Sequence, residues 1–294
     1  MAFLKELSEN KQAVTLYKYN GNDIRVDADI TIDIIDRSSD YIRICFLDLE
    51  TTGTNKKEDK IIEIALKVIQ LNKYTGKEVK AIADYEAFQD PGIPIPEQAT
   101  IINNITDEMV KDHEIDWDKV KEIFSISQLF VAHNASFDRA FLDRYLEISQ
   151  KKVWACSIND INWINRGFTN SKLELLAHWH GYYYESHRAM IDVDAMIHLV
   201  IHPHYIDNKP IIELIEKARQ YQSRIIVKFN YNPELVTLIK TKRYSFNGTT
   251  KEWSKIILEK DIEEETKWLA KNIYKGTFAG LIEQVTLVDK YKDR

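Results

Sequence analysis

Cysteine is scarce: the chain of 294 residues has two, Cys45 and Cys156, far apart in sequence. That excludes a disulfide framework, and the apolar surroundings of both predict buried, reduced thiols in a cytosolic protein. No uninterrupted apolar run approaches the roughly 18 residues of a membrane span. The opening MAFLKELSENKQ mixes charges and lacks an apolar h-region, so no secretory signal is expected. An excess of basic charge is lacking too. The net charge of −6 argues against a simple basic nucleic-acid coat protein, but leaves room for an enzyme that grips nucleic acid through metal ions and a few basic groups. Internal repeats and low-complexity tracts are absent. What remains, 44% hydrophobic and 29% charged residues, suits a soluble globular protein with one large core, or one ordinary domain and a smaller one. A cytoplasmic location with no membrane partner is the expectation.

Residues 1–40 read as an N-terminal segment that could add a strand, since DADITIDIID alternates apolar and acidic residues with period two. YIRICFLDLETTGTN (41–55) is an apolar strand. KIIEIALKVIQLN and the stretch beyond Thr75-Gly76 predict two more, the second ending at Pro91-Gly92. Met109, Val110, Val120, Ile123 and Phe124 have helical spacing, with Thr106 as N-cap. QLFVAHN reads as a short buried strand and SFDRAFLDRYLEIS as an amphipathic helix; SKLELLAHWHG and HRAMIDVDAMIHLVI are further helices. Strands first, then strands alternating with helices, predict an α/β sheet with helices on its faces. The expected boundaries are 41–206 for the main domain, 207–222 for a linking helix, 223–280 for a small α+β domain and 281–294 for a tail. In the small domain RIIVKFNY predicts a strand, PELVTLIKTK a helix, Asn247-Gly248 a hairpin and DIEEETKWLAKNIY a final helix.

The chemistry starts from two acids in the run FLDLETTG. Burying an unpaired carboxylate costs several kcal/mol or forces it to take up a proton. Asp48 and Glu50, two apart on a strand, point to the same face. Spacing alone does not single them out, because Asp84/Glu86, Asp112/Glu114 and Asp261/Glu263 share it. Only the first pair ends an apolar strand and is followed by Thr-Thr-Gly, so the plainer reading, a wet edge strand, is the less favoured one for it. For Asp138, in VAHNASFDRAFL, the plainer reading is capping of a helix N-terminus, worth about 0.3–1 kcal/mol. His187 and Asp192 are five apart, as are His113/Asp118, His133/Asp138 and His202/Asp207. On one continuous helix such positions diverge by about 140°, so this pair converges only if His187 precedes the helix. In combination the signal is stronger: Asp48 and Glu50, Asp138, and Asp192 come from three separate elements and could meet at the carboxyl ends of the strands. Two like charges at about 4 Å repel by roughly 4 kcal/mol at an effective dielectric of 20, so four carboxylates need cations between them. All-oxygen ligands select Mg²⁺ or Mn²⁺ over zinc, and two such ions about 3.5–4 Å apart clamp in-line displacement at phosphorus.

FLDLETTG, VAHNASFDRAFL and HRAMID resemble the three exonuclease motifs of the DEDDh 3′–5′ exonuclease family, the group containing bacterial polymerase III proofreading subunits. They come in the family's order, and the similarity covers roughly residues 41–205, including DPGIPIPEQATIINNIT and WACSINDINW. The resemblance implies an RNase H-like mixed sheet flanked by helices, two Mg²⁺ or Mn²⁺ ions, and release of nucleoside 5′-monophosphates from the 3′ end of DNA. Carried over residue by residue, it implies that Asp48 bridges both metals and that Glu50 and Asp192 hold the nucleophile-side ion. Asp138 supports the second ion, and His187 is the general base for the attacking water. The terminal nucleotide is expected on Thr51, Thr52 and Gly53, with Ile105 and Thr106 against its base and Asn134 and Phe137 as further substrate contacts. Many members have glycine where Asn104 stands; asparagine tolerates left-handed backbone, so the turn is expected to survive. The implied partners are nucleic acid with a free 3′ end and a DNA polymerase or repair complex. An exoribonuclease is one alternative, because the motifs do not reveal 2′-hydroxyl contacts. A non-catalytic nucleic-acid or polymerase-binding module on the same fold is another, and the intact acid set argues against it.

Two other stretches stand out. Six of the eight histidines, His178, His180, His187, His198, His202 and His204, crowd together; no cysteine joins them and His178 and His180 do not share a helix face, so zinc is not expected. Arg224 to Lys251 holds six basic residues against one acid, Glu234, interleaved with Phe229, Tyr231, Tyr244 and Phe246. That suits single-strand binding, and equally the core of a small domain. KRYSFNGTTKEW loosely resembles an accessory domain that follows the exonuclease domain in some bacterial proteins.

Overall fold

The computed structural model describes residues 3–4, 12–26 and 38–293. They fall into two compact units, Met1–Ala218 with Tyr291–Arg294, and Arg219–Lys290. The period-two stretch 27–36 lies outside the described residues. The first unit runs β1 (Tyr17–Lys18), β2 (Tyr41–Thr51), β3 (Ile61–Asn72), β4 (Lys80–Phe88), α1 (Glu97–Asn103), α2 (Asp107–Val110), α3 (Trp117–Ile126), β5 (Leu129–Ala132), α4 (Ala135–Tyr145), β6 (Trp154–Cys156), α5 (Leu173–Trp179), β7 (Tyr182–Tyr183), α6 (Ala189–Ile201) and α7 (Pro210–Ala218).

Its five-stranded sheet has the order β4-β3-β2-β5-β6. β2, β3 and β4 are antiparallel neighbours, whereas β5 runs parallel to β2 and β6 parallel to β5. This is the RNase H-like mixed α/β sheet that the motifs implied. Both faces are covered, which is why the central strands read as near-continuous apolar runs. On β2, Ile42, Ile44 and Phe46 join the core that holds Leu176 of α5 and Val193 and Ile197 of α6. Cys45, Leu47 and Leu49 join the opposite core with Phe124 of α3 and Phe141 of α4. Each fully buried side chain of this size contributes about 1.5–3 kcal/mol. Cys45 and Cys156 are both free and buried, as their surroundings suggested.

The α6 side of β3 carries buried charge. Glu63 pairs with Arg188, and Lys67 with Asp194 of α6. Gly21, at φ 70°, packs so closely on the Asp194 carboxylate that a Cβ there would collide with it. Both the left-handed backbone and the close carboxylate favour glycine there.

The structure redraws several expected boundaries. Helical spacing across 106–126 resolves into α2 and α3, separated at Asp112, whose φ is 61°. α1 ends on Asn104 at φ 57°, ψ 20°, with its N–H donating to Thr100 O at 2.8 Å; the left-handed turn survives without glycine. The expected linking helix is α7, and it is no free linker: Ile211, Leu214, Ile215 and Ala218 are buried in the first unit's core.

The second unit contains β8 (Gln222–Val227), α8 (Pro233–Thr241), β9 (Ser245–Asn247), β10 (Glu252–Leu258), α9 (Ile262–Leu269) and β11 (Leu281–Val285). The sheet order is β11-β8-β10-β9, all antiparallel, over a core of Ile225, Val227, Ile239, Tyr244, Trp253, Leu269 and Ile273. Asn232 caps α8 by accepting the Glu234 and Leu235 N–H groups, with Pro233 at the first helical position. The Asn247-Gly248 hairpin is present with a four-residue loop, 248–251: Asn247 Oδ1 accepts from Thr249 N and Thr250 N instead of forming a two-residue turn. Residues 281–285, expected in a tail, pair with β8 as an edge strand, and Tyr291 packs on the first unit's core. Among the described residues no helix is long and apolar enough to cross a membrane.

Candidate active site

β2 outruns its neighbour. It pairs with β5 only through Phe46, so Asp48 and Glu50 project beyond that pairing on the α6 side of the sheet. One oxygen each from Asp48, Glu50 and Asp192 lie within 4.8 Å of one another. Asp192 stands in the first turn of α6, where its Oδ2 accepts the His187 N–H at 2.8 Å and the Arg188 N–H at 3.2 Å. His187 precedes the helix at φ 68°, the arrangement its spacing to Asp192 required. Its imidazole lies near enough to favour the charge on Asp192. Asp138 is buried in the first turn of α4, accepts the Leu49 N–H, and repels Asp48. The three motifs thus converge.

Burial and mutual repulsion govern the charges. Burial, then the carboxylates of Asp138, Asp192, Glu50 and Glu63, hold Asp48 well above the usual range. Glu50 is pushed up to about 8 by burial, then by Asp192 and Glu63, while a hydrogen bond from Asn103 pulls it back. Burial raises Asp138 to about 7, against the opposing backbone N–H groups. It raises Asp192 to about 6, opposed by the His187 N–H and imidazole. A group of hard oxygen donors that disfavour their own charge fits a divalent cation. Among the described residues, no other cluster of acids, histidines or cysteines has this geometry, and the crowded histidines form none. They pack instead with aromatics: His198 stacks on Tyr19 at 4.1 Å, and His180 bonds Leu176 O and the Tyr205 hydroxyl.

Three further residues, Glu63, Arg188 and Asn103, support the acids. Glu63 lies opposite Glu50 across β2 and β3. It accepts from Arg188 Nε at 3.1 Å, Arg188 Nη2 at 3.0 Å and the Ala189 N–H at 3.0 Å. It thereby ties the sheet to the turn that carries His187. The signal was an acid in the apolar run KIIEIAL, the same kind that marked Asp48. Asn103 is buried, accepts the Ile105 N–H at 3.0 Å and reaches Glu50; nothing in its local sequence sets it apart from Asn104.

The expected substrate contacts divide. Thr51 donates its hydroxyl to Gly53 O at 2.6 Å, and the Thr52 N–H bonds Lys60 O at 2.9 Å. Asp59 fills the space beside Gly53, where a Cβ would collide, and accepts from the Asn55 N–H at 2.7 Å. These hydrogen bonds close the loop directly after Glu50. Ile105 departs from expectation: it is fully buried with Ile62, Ile95 and Val110, so its side chain is core and has no free face for a base. Thr106 is half-buried at the start of α2. Asn134 is exposed at the start of α4, and half-buried Phe137 packs on Phe141, centroids 4.9 Å apart.

Comparison with known proteins bears on this geometry. The family model of RNase T type, described as Exonuclease, matches residues 45–200, over half of the chain. The chain belongs to this exonuclease family. It is a 3′–5′ exonuclease domain of the DEDD type, a phosphodiester hydrolase. Among curated relatives, DNA polymerase III PolC-type of Listeria monocytogenes is 32% identical over 163 residues, 53% of this chain and 11% of that protein. The PolC-type polymerase of Lacticaseibacillus paracasei is 35% identical over 112 residues, 37% of this chain and 7% of that one. The chain thus spans about a tenth of the length of the curated relatives it matches. Among solved structures, Exonuclease X in complex with 5′ overhanging duplex DNA is 23% identical with a TM-score of 0.42, covering 58% of this chain and 99% of that one. A 3′-exonuclease bound to a histone mRNA stem-loop is 16% identical with a TM-score of 0.43, covering 56% and 64%.

Proposed function

We propose that this exonuclease removes nucleoside 5′-monophosphates from the 3′ end of DNA in a reaction that depends on two Mg²⁺ or Mn²⁺ ions. The observation that carries the reading is the convergence of oxygens from Asp48, Glu50 and Asp192 within 4.8 Å, with Asp138 pressing its charge on Asp48. Asp48, Glu50, Asp138 and Asp192 would hold the ions, which when bound activate water and stabilise charge on the leaving oxygen. The chain's own part is acid–base work and positioning. His187, held beside Asp192 by its backbone N–H, takes the proton of the attacking water on an imidazole nitrogen. The water oxygen joins phosphorus, the bond to the 3′ oxygen of the penultimate nucleotide breaks, and that oxygen is protonated from solvent. The closed loop at Thr51, Thr52 and Gly53 supports the terminal nucleotide, with Thr106, Asn134 and Phe137 as further contacts. The PolC-type relatives, DNA polymerases by name, favour DNA over RNA and a DNA polymerase as the partner.

The test is release of mononucleotides from 3′-labelled single-stranded DNA, duplex DNA and RNA of one length. DNA should lose its terminal nucleotide fastest with Mg²⁺ or Mn²⁺ and not at all in excess EDTA. Undiminished release in EDTA would overturn the mechanism, and faster attack on RNA would overturn the choice of substrate.

A further inference from the structure

Not all aromatics of the second unit are core. Tyr244 and Trp253 are buried, but Tyr231 is 84% exposed and Phe246 50% exposed. Tyr231 and Phe246 line a cleft of about 470 Å³ together with Phe229, Trp253, Lys240 and Lys251, a size within the roughly 300–1,000 Å³ of ligand clefts. The aromatic wall is built by the sheet. Phe246 and Trp253 are cross-strand partners on β9 and β10 with ring centroids 5.0 Å apart. The Phe229 ring lies 6.3 Å from Trp253 at an interplanar angle of 7°. An aromatic left in water forgoes its burial energy, so two around one cleft mark a surface that meets something.

The charges indicate what. Lys228 pairs with Glu252, and Lys242 and Lys255 pair with Glu265. Among the described residues, Lys240 and Lys251 have no ion-pair partner, and these are the lysines on the cleft. Lys251 is fixed at φ 58° by the hairpin loop that Asn247 closes. No carboxylate lines the cleft with them. Flat apolar faces beside unpaired ammonium groups complement a ligand with π faces and anionic edges. We propose that this cleft binds single-stranded nucleic acid, with bases stacking on Tyr231 and Phe246 and phosphates meeting Lys240 and Lys251. It would grip nucleic acid at a second place, separate from the hydrolytic residues. The choice of ligand rests on the proposed nuclease function, and the test keeps the two apart.

The probe is a fluorescein-labelled circular oligothymidylate, which has no 3′ end for the hydrolytic site, titrated against the full chain in EDTA and followed by anisotropy. Wild type should bind it. The Tyr231→Ala/Phe246→Ala variant should bind about tenfold or more weakly, given the worth of base–aromatic stacking. Tyr231→Phe/Phe246→Tyr keeps the ring faces and should retain the affinity. Lys240→Gln/Lys251→Gln should flatten the salt dependence by roughly 0.7 in log–log slope for each phosphate no longer neutralised. All three should hydrolyse the p-nitrophenyl ester of thymidine 5′-monophosphate with wild-type kcat. Wild-type affinity for the circle in the double alanine variant would overturn the proposal, as would failure of wild type to bind at low salt. Preference for an acidic peptide such as polyglutamate over the circle would overturn it in favour of a protein partner. If wild type does not hydrolyse the ester with Mg²⁺ or Mn²⁺, the proposed function fails while the binding comparison stands.

Discussion

In the first unit, Asp48, Glu50, Asp138 and Asp192 crowd at one end of the sheet, each raised above the ordinary carboxylate range by burial. In the second, the buried acid Glu265 lies between Lys255 at 3.1 Å and Lys242 at 3.9 Å. One region gathers like charge that something from outside must neutralise. The other neutralises its buried acid internally and leaves two lysines unpaired on a cleft. The difference separates frame from site: a buried charge with its own counter-ion is structural, and one without is an invitation to a ligand. A milder form of the contrast recurs inside the first unit: Asp194, which burial also raises to about 6, has Lys67 as counter-ion, whereas Asp192, two residues away, is met by backbone N–H groups, the Tyr184 hydroxyl and its histidine neighbour.

The largest effect should come from removing an acid of the unneutralised kind. Asp48→Asn should reduce mononucleotide release by about 10³-fold or more, the equivalent of several kcal/mol of lost charge stabilisation at 1.36 kcal/mol per tenfold. Its metal-free melting temperature should nevertheless rise, because one member of a repelling set has gone. A variant that melts lower in EDTA would mean that Asp48 is structural, and the contrast with Glu265 would collapse. Glu63→Gln should have the next largest effect. It breaks the tie to Arg188 and weakens the hold on Ala189, loosening the turn that presents His187. The expected loss is about 10–100-fold in kcat with little change in KM, the usual cost of removing a residue that orients a ligating group. A rise in KM alone would show that the turn grips substrate instead.

The pH dependence follows from the raised carboxylates. Glu50, Asp138 and Asp192, at about 8, 7 and 6 in the folded chain, titrate near 4 when unfolded. The folded protein therefore holds more protons across that interval. The contribution of these three groups to metal-free stability is fully present below about pH 4 and is lost as pH rises through about 6 to 8. Melting in EDTA should fall from about pH 5 to about pH 8.5, by roughly 2–4 °C for each kcal/mol lost. Mg²⁺ or Mn²⁺ should restore more at the alkaline end, and Asp48→Asn should flatten the profile. A melting temperature that rises with pH in EDTA would refute the charge reading.

The sheet was legible because burial on both faces leaves its strands apolar, and the site was legible where acids interrupt that run. The rest was hidden for definite reasons. α1 packs few residues and leaves Ile101 and Ile102 exposed, so it shows no clean apolar stripe. β11 has Leu281 and Ile282 in the open at a sheet edge and no alternation to betray it. α7 was visible as a helix, but its amphipathic face did not say which core it joins. Ile105 was misassigned because a motif fixes a position in the chain and not the direction of a side chain. Asn103 and Arg188 owe their roles to neighbours brought together only by folding.

The smallest effects belong to the second unit's pairs, and they grade the comparison from its far end. Lys255→Ala removes the nearer partner of Glu265 but leaves Lys242 in reach, so the cost should be about 1 kcal/mol and should not touch hydrolysis of the small ester. Lys267→Ala deletes the pair with Glu263, in which both side chains are mostly exposed. Water screens that pair, and the melting curve should superimpose on wild type. If Lys267→Ala destabilised the chain as much as Lys255→Ala, burial would not be what gives these pairs their value. The division between neutralised and unneutralised acids would then lose its physical basis in both units.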